Sequence, residues 1–221
     1  MSYTETYYMS RSMSKVYLNM AASVLNSMLV AYYISHSPGL AEFFLTGAMK
    51  WVILLLPLPM VFVIVPILSR IETPLYVAQA CLHLFAATVG IGISSIFIVH
   101  TSTDITSAFL GAVVLFTILA VYGATTKRNL EGIGQFMAVG LIAIIIAGIV
   151  NLFLGSTLLQ LTISSLGVII FLGLTAYDAQ RIQELVRYGG ASAEVLGALN
   201  MYLNFINLFL DLLNIISLSD D

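Results

Sequence analysis

The sequence predicts an all-α integral membrane protein: one domain of seven transmembrane helices over residues 1–221, with a short cytoplasmic tail at 1–15. Three observations carry that expectation. Hydrophobic residues make up 60% of the chain and charged residues only 9%, whereas a soluble domain is roughly a quarter charged. Apolar runs long enough to cross a hydrocarbon core of about 30 Å recur seven times. Basic residues then fall almost wholly on one side of the seven-span arrangement.

The first span is expected at 16–35, after a polar, Tyr-rich start that has no apolar core of a signal peptide. The second, 51–69, contains Pro57, Pro59 and Pro66, which must kink or interrupt it. The third, 75–99, carries Gly90, Gly92, Ser94 and Ser95, small residues that permit close helix contact. The fourth is 105–124. The fifth, 132–154, has Gly140 and Gly148 for the same purpose, and Asn151, which reads as interhelical glue before it reads as pathway. The sixth is 158–177 and ends beside Asp178; the seventh is 196–218. Short connections make neighbouring helices antiparallel.

Topology follows from eight cations. Arg11 and Lys15 precede the first span, Arg70 follows the second, Lys127 and Arg128 the fourth, and Arg181 and Arg187 the sixth; Lys50 alone falls on the other side, where it snorkels. The N-terminus is therefore expected in the cytoplasm and the Asp220–Asp221 end outside. A net charge of −3 with no basic patch argues against a nucleic-acid partner. The one cysteine, Cys81, cannot form an intrachain disulfide.

The seventh span is the informative one. Asn200, Asn204, Asn207, Asp211 and Asn214 recur at spacings of four, three, four and three. At about 100° per residue they share an arc of roughly 80° over about 21 Å of axis, a polar stripe that must face protein or water. The topology brings Arg70, Asp178, Asn200 and Asn204 to similar depths at the cytoplasmic side. Asp178 has two readings: a carboxyl that titrates and changes its partners when it does, or a helix-end cap paired with Arg181. Asp211 also has two: a pathway acid that attracts cations, or a protonated carboxyl bonded to Asn207 or Asn214. Asp178 and Asp211 are the two acids that could meet a hard cation, which prefers several oxygen ligands.

Two segments carry a resemblance. GLTAYDAQRI at 173–182 and ALNMYLNFINLFLDLL at 198–213, with GLIAIIIAGIVNLFLG at 140–155, resemble the Bax inhibitor-1 (transmembrane BAX inhibitor motif) family. The resemblance covers the chain from the third span onward and reaches the first two only weakly. It implies a bundle with helix seven at its centre and a pH-sensitive cation leak, chiefly for calcium. It further implies two aspartates on helices six and seven that share a proton, and an arginine on helix two that latches onto them. Asp178 matches the first acid and Arg70 the latch, but the second position is Asn204. An Asp–Asn pair lacks the mutual repulsion that couples two carboxylates, so a weaker or acid-shifted pH response is expected.

The functional expectation is thus a calcium-permeable leak channel of the bacterial cytoplasmic membrane, with no cofactor. Asp178, Asn204 and Arg70 form its gate, and Asn200, Asn207, Asp211 and Asn214 its pathway. The alternative is a non-conducting regulator that binds other membrane proteins, for example a protease. A retinal pigment is excluded because Lys15, Lys50 and Lys127 leave helix seven without a lysine. His36, His83 and His100 lack metal-ligand spacing, and no nucleophile elbow or phosphate loop appears, so no enzyme is expected.

Overall fold

A computed structural model describes residues 3–188 and 190–219. The described residues are helical nearly throughout: α1 (Tyr3–Ser35), α2 (Pro38–Leu45), α3 (Gly47–Leu55), α4 (Pro57–Leu68), α5 (Leu75–Ile93), α6 (Ile96–Val99), α7 (Ser102–Thr125), α8 (Glu131–Leu154), α9 (Thr157–Tyr188) and α10 (Gly190–Ser219). Among the described residues, six stretches are long and apolar enough to cross a membrane: Gly47–Leu68, Leu75–Val99, Ser102–Thr125, Glu131–Leu154, Thr157–Arg187 and Ala191–Leu218. The chain is a multi-pass membrane protein. The expected first span, 16–35, lies within unbroken α1 but is not among the six. Asn19, Ser23, Asn26 and Ser27 dilute its apolar character. The Asp220–Asp221 end lies outside the described residues.

Local chemistry explains the breaks. The second expected span is two helices, because Pro57 and Pro59 supply no amide to the turn before them. Leu56 nevertheless keeps helical angles and bonds back to Val52 at 2.8 Å. The third span divides at Ser94 and Ser95, where Ser94 turns its hydroxyl onto the Ile91 carbonyl at 2.7 Å. Helix α7 starts at a capping box in which Thr101 and Asp104 satisfy each other's amides. Helix α8 stops at Gly155, whose φ of 61° is the left-handed C-cap conformation.

Helix α9 departs from expectation. Its apolar run ends at 177, which made Asp178 a candidate cap, but the helix continues to Tyr188. The segment after Asp178 is polar yet rich in good helix formers, so the apolar run ends there while the helix does not.

The chain packs as two compact units. The first comprises residues 1–100 and 182–202. In it α1 packs chiefly on α5. A side chain at Gly90 would meet the Ser27 backbone oxygen at 2.7 Å, so glycine is what permits this approach. Tyr202 is wholly buried, its hydroxyl 2.7 Å from Ser27 Oγ and its ring edge-on to Phe85.

The second unit comprises residues 101–181 and 203–221. Phe205 of α10 sits edge-on between Phe109 and Phe116 of α7, at centroid distances of 5.7 and 5.5 Å. A Cβ at Gly123 would overlap the Ala176 carbonyl, so α7 and α9 touch backbone to backbone there. Gly134 of α8 likewise lies flat against the Tyr177 ring. Gly148, expected to serve close packing, has open space around it, as befits a residue on the largely exposed α8.

Candidate functional site

Asp178 and Asn204 meet. Asn204 Nδ2 donates to Asp178 Oδ2 at 2.7 Å, across from α10 to α9. Asn204 is 5% exposed, so water cannot easily replace that bond. An amide donor on a carboxylate in such a place contributes about 1.5–3 kcal/mol when the acid is charged. Asp178 is not a helix-end cap, since it lies inside α9, ten positions before its end. Arg181 does attract Asp178 by charge, while its guanidinium extends along Tyr177, with Nη1 3.4 Å from the phenol oxygen and the guanidinium 5.9 Å from the ring centroid. Among the described residues the single ion pair is Lys15–Glu194.

The rest of the YDAQR run holds Asp178 in place. Gln180 accepts from the Leu130 amide at 2.9 Å and donates to the Arg128 carbonyl at 2.9 Å, clamping the α7–α8 connection to α9. Tyr177 fills the space left open by Gly134. Neither Gln180 nor Gly134 stands out in the sequence. Pairing a glutamine with a loop backbone about 50 residues away leaves no periodic signal.

The expected latch residue, Arg70, is exposed and belongs to the first unit. Its carbonyl accepts from Ser192 Oγ at 3.0 Å, fastening the end of α4 to the start of α10. Close by on α10, Glu194 is buried and pairs with Lys15 of α1 at 3.1 Å. The N-terminal part of α10 is therefore anchored by a serine and an acid that no sequence pattern marks.

Along the stripe, Asn204 is buried, and Asn200, Asn207, Asp211 and Asn214 are each half-buried. None stands exposed, as a polar stripe on an apolar helix requires. Asn207 donates to the Leu203 carbonyl of its own helix at 2.8 Å and not to Asp211. The expected bonding of Asp211 to Asn207 thus does not form. Asp211 turns toward α9, where a Cβ at Gly167 would collide with its carboxyl group. Its Oδ2 is buried with no hydrogen-bond partner. Asp211 lies seven residues beyond Asn204, about 10 Å along the helix, so Asp178 and Asp211 do not share one ion. Among the described residues no three His, Cys, Asp or Glu side chains converge as metal ligands. Asn151 is glue, as expected: it donates to Gln160 at 3.1 Å and accepts from the Ser156 amide at 3.0 Å, closing the α8–α9 turn.

The family described as Inhibitor of apoptosis-promoting Bax1 matches residues 9–221. The chain is 35% identical over 211 residues to the inner membrane protein YbhL of Escherichia coli K12, covering 92% of this chain and 89% of YbhL. It is 35% identical over 208 residues to an uncharacterized protein of Deinococcus radiodurans, covering 92% and 88%. It is 34% identical over 219 residues to YrjE of Lactococcus lactis, also uncharacterized, covering 93% and 90%. With the YD and YLxFINLF segments now seen bonded to each other through Asp178 and Asn204, the chain belongs to the Bax inhibitor-1 family.

Proposed function

We propose that this protein is a cation leak pathway of the bacterial inner membrane, permeable to calcium and sensitive to pH. The observation that carries the reading is the buried 2.7 Å bond from Asn204 to Asp178. It fastens the polar stripe of α10 to α9 at one end of the stripe. In this reading a change in charge or hydration at Asp178 loosens that bond and opens the stripe to water. Asn200, Asn207, Asp211 and Asn214 then line the path, with Asn207 and Asn214 supplying carbonyl oxygens to a partly dehydrated ion.

The orientation is N-terminus in and C-terminus out, with residues 16–35 of α1 as a seventh span. Seven of eight cations then share the cytoplasmic side. The inner membrane is the location that the name of YbhL gives for that relative. Helix α10 is the most enclosed of the six apolar stretches, which supports a central position. The pathway needs no cofactor and no catalytic group.

The test is calcium efflux by the purified protein in liposomes, with Asp178→Ala beside the native chain. A leak pathway gives protein-dependent efflux that Asp178→Ala changes. Efflux no greater than that of empty liposomes would favour the non-conducting regulator instead.

A further inference from the structure

A second site lies deeper in the second unit, where α9 and α10 meet at Ser164, Gly167 and Asp211. Hydroxyls in apolar helices, exposed or buried, ordinarily turn back onto a carbonyl one turn earlier. Thr162, Ser165 and Thr175 of α9 do so, at 2.8, 2.8 and 2.7 Å. Ser164 does not: it is 0% exposed, and its Oγ has no hydrogen-bond partner among the described residues. A polar neighbour of Ser164 is Asp211, whose carboxyl group lies close enough to interact with that hydroxyl and whose Oδ2 is itself buried. Gly167, one turn on from Ser164, has no side chain, and the Asp211 carboxyl occupies the place a Cβ would take. Two unsatisfied oxygens thus face each other across a surface that only glycine leaves open.

A carboxyl group that carries a proton of its own can donate it to the hydroxyl beside it. We propose that Asp211 and Ser164 form a proton-exchange site: Asp211 takes up a proton, donates it in a hydrogen bond to Ser164 Oγ, and releases it again as the carboxylate. A metal ion fits worse. It would need several more oxygen ligands, and no third His, Cys, Asp or Glu side chain joins the two among the described residues. No resident cation competes with the proton either. From the helices of this unit, α7 contributes Asp104, half-buried and held in its capping box, and Tyr122 near its end. Helix α8 contributes only Glu131, in its first turn. Helix α9 contributes Tyr177, Asp178 and Arg181, respectively 10, 11 and 14 residues past Gly167 and so about 15, 16 and 21 Å along its axis. The apolar spans of α7, α8 and α9 before Arg181, and α10 after residue 203, hold no Lys, Arg or His.

This site deepens the leak reading, because it gives the stripe a pH-responsive group separate from Asp178, but its test does not need flux. Infrared difference spectra of the full-length protein in lipid nanodiscs, recorded through a pH titration, report the carboxylic-acid C=O band directly. The native protein and Asp178→Asn should share a titrating band that Asp211→Asn lacks. In Ser164→Ala the band should move to higher frequency as its hydrogen bond is lost. Superposable native and Asp211→Asn spectra would overturn the proposal. Should Asp211→Asn not fold, Ser164→Ala decides, since a band it leaves unmoved would also overturn it. Calcium efflux from the same preparation separates the two readings: a titrating band without efflux keeps the proton site and removes the leak.

Discussion

Replacing Ser27 by alanine should destabilise the first unit more than removing the hydroxyl of Tyr202. Ser27 Oγ lies 2.7 Å from the Ala86 carbonyl, 3.1 Å from the Ser23 carbonyl and 2.7 Å from the Tyr202 hydroxyl. Carbonyls only accept, so the one proton of Ser27 goes to them and Tyr202 donates to Ser27. Ser27→Ala therefore strands a phenol O–H in a place with 0% exposure, which costs about 1–3 kcal/mol. Interhelical bonds in membranes fall toward the low end of that range, so about 1–2 kcal/mol is expected. Tyr202→Phe removes the donor but leaves Ser27 bonded to Ala86, at a cost of about 0.5–1 kcal/mol. The double variant has no stranded group and should be more stable than Ser27→Ala alone. Unfolding of the reconstituted protein by titration with a denaturing detergent measures all three. A Ser27→Ala cost no larger than that of Tyr202→Phe, or strict additivity in the double variant, would refute the assigned donor direction and the buried network with it.

Other perturbations have equally definite outcomes. Gly123→Ala drives a methyl group into the Ala176 carbonyl. It should cost about 1–3 kcal/mol by overpacking and also disturb the Asp178 region, measured by unfolding together with calcium efflux. Asn204→Leu leaves Asp178 without its amide donor and should lower stability by about 1–3 kcal/mol, an effect that a simultaneous Asp178→Leu should largely reverse. Gln180→Ala releases the Arg128 carbonyl and the Leu130 amide. Hydrogen exchange at the start of α8 should then quicken, while α7 and the middle of α10 are unchanged.

Much of the fold was legible because the membrane imposes simple rules. Span lengths set the apolar helices in order, and Pro57 marked the break before α4. The juxtaposition of Asp178 with Asn204 followed from depth alone, since antiparallel neighbours put the end of one apolar run beside the start of the next. The length of α9 was hidden for a physical reason: hydropathy reports where lipid ends, and helix propensity does not stop there. The small-residue contacts were only partly readable. Gly90 packs closely and Gly148 does not, yet they look alike in sequence; what distinguishes them is the helix each faces. The Tyr202–Ser27 bond joins residues 175 positions apart, and no local pattern announces it. The stripe on α10 was visible by period, but the turn of Asp211 toward Gly167 was not, because a glycine marks room without naming its occupant.

The most direct measurement is calcium efflux from proteoliposomes across a pH series, comparing the native chain with Asn204→Asp. The substitution places a second carboxylate against Asp178 Oδ2, where the native amide now donates. Two acids at that distance cannot both ionise easily and must titrate as a pair. Asn204→Asp should therefore gain a stronger pH response, displaced toward neutral pH relative to the native protein. Identical pH profiles for the two proteins would contradict a gate at Asp178 and Asn204.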